Sequence, residues 1–247
     1  MLFRSWHANL QSRSIVADQS GEVIKALGLT AASTIGSPLL MEALSGGYYK
    51  RAAKETEPIV SADPRAIAKK KALIRAHQQD VGGGKPKMLL NPSHNQGGAY
   101  HFNLDGDVDE MHYGPQSSQF VLAHELGHRS INLQPGLMQQ VQQRTYGGIL
   151  HPLIETGAQI AAGAFAPSTR RALAYGTGMG YLNQLGTIAS EAEATRRGGQ
   201  YLQAAGSPIS PAMHAAQLAS YGVGTGLEAV RNVAIGRGLR ALASQLK

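Results

Sequence analysis

Apolar residues recur at helical spacing between residues 64 and 80, where the sequence reads PRAIAKKKALIRAHQQD. Proline stands at the start of this segment, where a helix tolerates it, and the lysines fall on the face opposite the apolar residues. Gly82 to Gly84 and Pro86 follow and interrupt the pattern. The segment therefore predicts one amphipathic helix.

Three short runs after this helix are typical of strands, namely Met88 to Leu90, Tyr100 to Leu104 and Val108 to Tyr113. Asp105-Gly106 lies between the last two runs and predicts a hairpin turn. The acids at 105, 107 and 109 also invite a calcium interpretation, but the glycine and glutamate of an EF-hand loop are not both in place. We interpret these acids as solvated turn residues.

The next apolar pattern follows Pro115 and includes residues 120 to 130, FVLAHELGHRS, which predict a buried helix. From 147 to 190 the chain is rich in alanine and glycine and predicts two apolar helices joined by a turn at 166 to 169. Glycines four residues apart, Gly176 with Gly180 and Gly222 with Gly226, favour close approach of helix backbones. The whole pattern predicts a mainly α fold with a small β element.

The first 60 residues are predicted to form an N-terminal extension, and residues 61–247 a single domain. Ala26 to Met41 carries no charge and predicts one apolar helix in the extension, but it is shorter than the roughly 20 residues of a membrane span and contains Pro38. No apolar run directly follows the charges of the N-terminus, so we do not expect secretion by a signal peptide. We expect the apolar segments to meet a membrane surface or an intracellular assembly.

Composition narrows the chemistry, because none of the 247 residues is cysteine. Disulfides, iron-sulfur clusters, thiolate zinc sites and cysteine nucleophiles are therefore excluded. Any zinc in this chain must be held by histidine and carboxylate.

Charge indicates which partners suit the surface. The formal net charge is +7 and the isoelectric point is about 9.7, with basic clusters such as Lys69 to Lys71. Such a surface suits anionic partners, or is simply a solvated face. The basic helix lacks the interleaved aromatic residues that single-strand nucleic-acid binding uses, which argues against nucleic acid as the partner.

The candidate chemistry lies in the stretch AHELGHR. His124 and His128 are four residues apart, so a helix presents both imidazoles on one face, and Glu125 stands beside them. Zinc in a catalytic site takes three protein ligands and keeps one position open, and a neighbouring carboxylate can act as general base. The pattern predicts a metal site with Glu125 as the base; the alternative is a pair of core histidines with Glu125 in an ion pair.

The third ligand is not fixed by this stretch. The pattern HExxHxxGxxH is absent, because RSINLQP follows His128. A glutamate from a later helix is the alternative source, and the residues themselves leave three candidates open: Glu155, Glu191 and Glu193.

The pairing of AHELGHR with a distant SEAEATRR resembles the membrane-associated neutral zinc metallopeptidases and, more remotely, the HtpX-like peptidases. In these families a glutamate opens a Glu-x-x-Ala-Ser or Glu-x-x-Ala-Asp motif. The resemblance implies that Glu191 is the third ligand, Ala194 a small packing residue, and Thr195 the equivalent of their serine or aspartate. The segment MHAAQLASYGVG also resembles their Asn-Ala-Ala-x-Leu-Thr-Tyr segment, with His214 in place of asparagine.

The resemblance implies a zincin-like metallopeptidase core in 61–247, Zn²⁺ as cofactor, and a zinc-dependent endopeptidase activity on a peptide or protein substrate. In such enzymes an edge strand pairs with the extended substrate, and either Tyr100 to Leu104 or Val108 to Tyr113 could serve. His112 and Tyr113 could stabilise the oxyanion, although packing and capping are commoner roles. Arg196 and Arg197 are expected to pair with solvent or carboxylates.

The alternative function is a structural or membrane-interaction component of a larger assembly that retains a peptidase-derived fold.

Overall fold

The computed structural model describes residues 47, 51–52, 54–102, 108–146 and 150–245. The predicted apolar helix in 26–41 and the predicted hairpin turn at 105–106 lie outside the described residues, and most of 1–60 does too, so the predicted boundary at residue 60 stays a prediction. The described chain forms two compact units. One contains 150–184 and 223–245, and the other contains the described residues up to 146 together with 185–222.

The described chain is mostly helical with one three-stranded sheet, which confirms the predicted mainly α fold with a small β element. Its elements are, in order, α1 (Pro64–Val81), β1 (Lys87–Leu90), a 3-10 turn (Pro92–His94), β2 (Gly98–Phe102), β3 (Asp109–Tyr113), α2 (Gln119–Leu133), α3 (Leu137–Tyr146), α4 (Leu150–Phe165), α5 (Thr169–Ala204) and α6 (Pro211–Gln245). In the part of the chain that the structure describes, no helix combines the length and hydropathy that a membrane span requires.

Helix α1 is the predicted amphipathic helix, and both of its ends are capped. The Asp63 side chain accepts a hydrogen bond from the Arg65 N–H at 2.9 Å, which satisfies one of the unpaired donors of the first turn. Gly82 adopts a left-handed backbone with φ 63°, a conformation that glycine allows without strain, and ends the helix. The buried face consists of Ala66, Leu73 and His77.

The sheet has the strand order β1-β3-β2, so β3 is the central strand. It pairs in parallel with β1 and antiparallel with β2, and Met111 at its centre faces the core, where it is fully buried. Since both sides of β3 are already paired, the segment Val108 to Tyr113 cannot accept a further strand. Of the two predicted substrate-binding strands, only the one that became β2 lies at an edge.

The core of this unit forms around α2, whose residues from Gln119 to Ile131 are buried. Phe120, Leu122 and Leu126 pack in one apolar cluster with residues of α1, β3, α5 and α6, including Leu73, Met111, Leu202 and Met213. Because α2 is buried on every side, its polar side chains need partners inside the protein.

The other unit is formed by α4, residues 169–184 of α5 and residues 223–245 of α6. Its helix backbones approach most closely at Gly163 and Gly236: a methyl group on Gly163 would come within 2.2 Å of the Val233 carbonyl oxygen. In the predicted glycine pairs, the Val233 side chain occupies the space beside Gly176, and the Tyr181 hydroxyl lies near Gly226. The close approach predicted from glycine spacing therefore occurs, but at glycines that the spacing did not single out.

Candidate metal centre

Helix α2 presents two of the predicted ligands on one face. His124 and His128 are one turn apart, their rings meet edge to face with an interplanar angle of 86°, and their Nε2 atoms are 3.2 Å apart. Both rings are largely buried. Both buried imidazoles therefore direct their Nε2 atoms toward one point.

Glu191 on α5 completes the cluster. Its Oε2 lies 3.0 Å from the Nε2 of His124, and its Oε1 lies 3.4 Å from the Nε2 of His128. Each of the three residues offers a donor atom, and all three are buried, so the group could hold a metal ion. The structure thus brings together the two histidines of HELGH and Glu191, the candidate that the family resemblance favoured.

Close helix packing brings Glu191 to the histidines. On α5, residues 191, 194, 195 and 198 follow the spacing of a single helical face, and this face lies against α2. A methyl group on Gly127 would come within 2.0 Å of the Ala194 carbonyl oxygen, and one on Gly198 within 2.5 Å of the Ala123 carbonyl oxygen. The two backbones are therefore almost in contact at two successive turns, and side chains as short as glutamate and threonine span the gap.

The Nδ1 atom of His128 is held by Gln142 of α3. It lies 3.1 Å from the Gln142 Oε1, and the Nε2 of the same amide donates to the His128 carbonyl oxygen at 2.9 Å. Because an amide oxygen can only accept, this contact assigns the proton of the ring to Nδ1. The Nε2 of His128 then carries the lone pair that a metal would need.

A second relay holds His124. Its Nδ1 lies 3.1 Å from the Oγ1 of Thr195, and the Thr195 hydroxyl donates to the Gln217 Oε1 at 2.6 Å. Since the hydroxyl proton is committed to Gln217, Thr195 accepts from the Nδ1–H of His124, and again Nε2 keeps its lone pair. The Gln217 amide nitrogen lies within 2.9 Å of Nδ1 and 3.1 Å of Nε2. The Thr195 oxygen, whose own proton goes to Gln217, can only accept, so Nδ1 is the protonated ring nitrogen of His124.

Charge in the cluster favours a cation. Burial would raise the pKa of Glu191, but the hydrogen bonds from His124 and His128 hold it far below its usual range. Burial lowers the pKa of His128, but the hydrogen bond and charge of Glu191 overcome this and raise the pKa to about 9. The ionised carboxylate is therefore balanced by a proton on His128 when nothing else neutralises it.

Glu125 lies on the same helix and is also buried. Its Oε2 accepts a hydrogen bond from the backbone N–H of Tyr100 in β2 at 2.8 Å. A methyl group on Gly98 would come within 2.7 Å of the Val121 side chain, so β2 runs directly against α2. The edge strand and the candidate general base are thus in contact.

The rival third ligands have other partners. Glu155 belongs to the other unit, where its carboxylate accepts hydrogen bonds from Gln159 and Gln184. Glu193 pairs with Arg196 and Arg197 at 2.7 and 2.8 Å, as expected for those arginines. The hydrogen bond from Arg196 is the main reason why the pKa of Glu193 falls to about 2.

The other singled-out residues lie elsewhere in the fold. Tyr113 packs against the apolar core, which agrees with the commoner role weighed for it. The His112 Nε2 lies 3.3 Å from Glu110, in a group of three histidines. The His214 imidazole lies against Gly199 of α5, where a methyl group would come within 2.8 Å of its Nε2.

Sequence reasoning missed Gln142 and Gln217. Gln217 falls in the segment HAAQLASY, which resembles the Asn-Ala-Ala-x-Leu-Thr-Tyr segment of the peptidase family. It stands at the variable position x, and this placement is the signal that could have identified it. Gln142 stands in the polar run QQVQQR and carries no signal that separates it from its neighbours.

Comparisons with protein families, with curated proteins and with solved structures find no match for this chain. The site is therefore interpreted from its own geometry.

Proposed function

We propose that the chain is a zinc-dependent endopeptidase with a zincin-like core, in which His124, His128 and Glu191 hold the zinc ion and Glu125 is the general base. One observation carries this proposal. The Glu191 carboxylate of α5 lies 3.0 and 3.4 Å from the Nε2 atoms of His124 and His128. Both histidines belong to α2, the helix that also bears Glu125. The family resemblance of AHELGHR and SEAEATRR is consistent with it.

The donor set fits zinc. Two imidazoles and one carboxylate are a ligand set of catalytic zinc sites, and four-coordinate zinc with three protein ligands keeps one position open. Donor atoms arranged tetrahedrally at about 2.0 to 2.1 Å from zinc lie about 3.3 to 3.4 Å apart. The two Nε2 atoms are 3.2 Å apart, and the Glu191 carboxylate places one oxygen 3.0 Å from His124 and the other 3.4 Å from His128, so the distances are close to this value. The hydrogen bonds to both Nδ1 atoms match the usual support of zinc-bound histidines.

Zinc bound there would supply a Lewis acid that activates water for attack on a peptide carbonyl. Glu125 would take the proton from the attacking water on its carboxylate and deliver it to the leaving amine nitrogen. The contact with the Tyr100 N–H orients this carboxylate. The peptide bond is hydrolysed, so the products are a carboxylate and an amine.

The edge strand β2 supports an extended peptide as the substrate. Backbone groups on an edge strand can pair with another chain irrespective of its side chains, which suits an endopeptidase. In this proposal β2 receives the substrate beside Glu125.

The test is hydrolysis of an unfolded protein substrate by wild type and by Glu125→Gln. General base catalysis typically contributes about 10²- to 10⁴-fold, so we expect Glu125→Gln to lose activity by this factor while keeping its zinc. Glu193→Gln removes the same charge two residues from Glu191 and should leave the rate unchanged. Equal rates for wild type and Glu125→Gln would refute the role of Glu125. A chain without bound zinc and without activity would instead favour the structural or membrane-interaction component.

A further inference from the structure

Three histidines outside the buried cluster also converge. His94 ends the 3-10 turn, His101 lies on β2 and His112 on β3, and one ring nitrogen from each lies within 4.8 Å of the others. The rings of His101 and His112 are 4.3 Å apart between centroids, and those of His94 and His112 are 6.1 Å apart. No residue is shared with the cluster of His124, His128 and Glu191.

The strand register puts two of these histidines on the same face of the sheet. His101 is opposite Glu110, and Ala99 is opposite His112, so His101 and His112 are diagonal neighbours across the β2–β3 ladder. Diagonal neighbours on one face are within reach of long or aromatic side chains. The neighbouring position on β3, Met111, points to the core, so the histidines lie on the opposite, more accessible face.

The third histidine is held by a loop with a fixed backbone. The His94 N–H donates to the Asn91 carbonyl oxygen at 3.1 Å, and the Gly97 N–H donates to the His94 carbonyl oxygen at 2.7 Å. A methyl group on Gly114 would come within 1.9 Å of the Asn95 carbonyl oxygen, so this loop packs directly against the residue that follows β3. Backbone hydrogen bonds and close packing therefore position His94 beside the strands.

The negative charge of Glu110 beside His112 suits a bound cation. Its Nε2 lies 3.3 Å from the Glu110 carboxylate, and its Nδ1 lies 3.5 Å from the Asn91 side-chain nitrogen. Lys87 contacts the other oxygen of Glu110 at 2.8 Å. A carboxylate beside a ligand histidine is the common arrangement that orients the ring and strengthens it as a ligand.

We propose that His94, His101 and His112 form a second metal site, which takes a divalent transition-metal ion that prefers imidazole, such as zinc or copper. Three imidazole nitrogens suit these ions, whereas magnesium and calcium take oxygen ligands. The three donor atoms lie within 4.8 Å of one another, and binding an ion would bring them to the roughly 3.3 Å separation of tetrahedral ligands through side-chain rotation. The ion would tie together β2, β3 and the loop before β2.

The consequence for the fold is a metal-dependent edge strand. A bound ion stabilises the folded state because the unfolded chain does not hold the three histidines together. Tyr100, whose N–H contacts Glu125, precedes His101 on β2, so the ion would also fix the strand beside the buried cluster. The binding proposal itself does not rest on the proposed peptidase function.

The test is equilibrium dialysis of the full-length chain against Zn²⁺, and separately against Cu²⁺, with bound metal measured by mass spectrometry. We expect Glu191→Gln to remove one ion per chain, His101→Asn to remove a different one, and the double variant to bind neither. His214→Asn, which removes a histidine outside both clusters, should bind as wild type does. Copper bound to Glu191→Gln should show imidazole nitrogen couplings by electron paramagnetic resonance, and adding His101→Asn to this variant should remove them.

Thermal unfolding gives an independent readout. Added Zn²⁺ should raise the melting temperature of Glu191→Gln but not that of the double variant, because only the former retains the three-histidine site. The proposal is overturned if His101→Asn binds as many ions as wild type with the same affinity. A wild-type chain that binds one ion, which His101→Asn removes and Glu191→Gln does not, would contradict the peptidase proposal and leave this one intact.

Discussion

Gly127 on α2 and Ala194 on α5 are in backbone contact, so close that a methyl group on Gly127 would come within 2.0 Å of the Ala194 carbonyl oxygen. This glycine is the fourth residue of HELGH, between the two histidines, and Ala194 is three residues beyond Glu191. The contact sets the separation of the two helices at the point where their ligand side chains meet. Small residues here are therefore a condition for the cluster.

We expect Gly127→Ala to destabilise the fold by about 1 to 3 kcal/mol, because the added methyl group must push two helix backbones apart. Zinc binding should weaken as well, since Glu191 moves away with α5. Denaturation in urea and a zinc titration measure the two effects. Gly178→Ala is the matched control, because Gly178 is also helical and no described residue would lie within 4 Å of its added methyl group. Alanine favours a helix over glycine, so this variant should be unchanged or slightly stabilised. Equal stability of Gly127→Ala and wild type would show that the helices are not held in this contact.

Thr195 is expected to tune the zinc site through His124, whose Nδ1 lies 3.1 Å from its hydroxyl oxygen. Thr195→Val preserves the shape of the side chain but removes this acceptor, and losing such a partner typically lowers metal affinity about 10- to 100-fold. Thr195→Ser keeps the hydroxyl and should bind zinc nearly as wild type does. Competition with a chromophoric chelator measures the three affinities. Unchanged zinc affinity in Thr195→Val would remove the proposed relay from Thr195 to Gln217.

His77 gives the stability a pH dependence that does not involve the metal. Burial, followed by the charge of Arg129, lowers the pKa of His77 to about 4. Neither ring nitrogen has a hydrogen-bond partner among the described residues, and the ring meets Tyr201 edge to face. The unfolded chain binds a proton on this histidine near pH 6.5, whereas the folded chain does so only near 4. Stability is therefore complete above 6.5 and falls as the pH decreases toward 4.

We expect this loss to reach roughly 3 kcal/mol, which corresponds to the gap between the two pKa values. Urea denaturation of metal-free protein at several pH values between 7.5 and 4 measures it. His77→Phe keeps an aromatic ring at this position and should reduce the slope between pH 6.5 and 4, where His77 contributes to it. A slope that persists unchanged in His77→Phe would assign the pH dependence to other groups.

Much of the fold could be predicted because it depends on local patterns. Helical spacing and a proline start defined α1, and the apolar flank of HELGH defined α2. The order of the strands could not be predicted, since it depends on contacts between distant segments; β3 became central and thereby lost the substrate-binding role considered for it. The full length of α5 was also missed, because the alanine- and glycine-rich pattern ends near residue 190, whereas the helix continues to Ala204.

The residues of the candidate site likewise divide into those that local sequence spacing predicts and those that only tertiary contacts reveal. Spacing alone identified His124 and His128, because residues four apart in a helix share a face. Spacing left Glu155, Glu191 and Glu193 open as the third ligand, and only the family resemblance favoured Glu191, which is the one that the structure places at the histidines. Gln142 and the group of His94, His101 and His112 arise from tertiary contacts that no local pattern records.

The most direct test of the metal centre is the zinc content of the full-length chain in wild type, Glu191→Gln and Glu193→Gln. All three are purified without a metal-affinity tag, equilibrated with the same free Zn²⁺ concentration and measured by mass spectrometry. The account predicts that wild type and Glu193→Gln carry equal amounts, and that Glu191→Gln carries one ion fewer per chain. Equal zinc in Glu191→Gln and wild type would contradict it, since the carboxylate beside His124 and His128 would then not be a ligand.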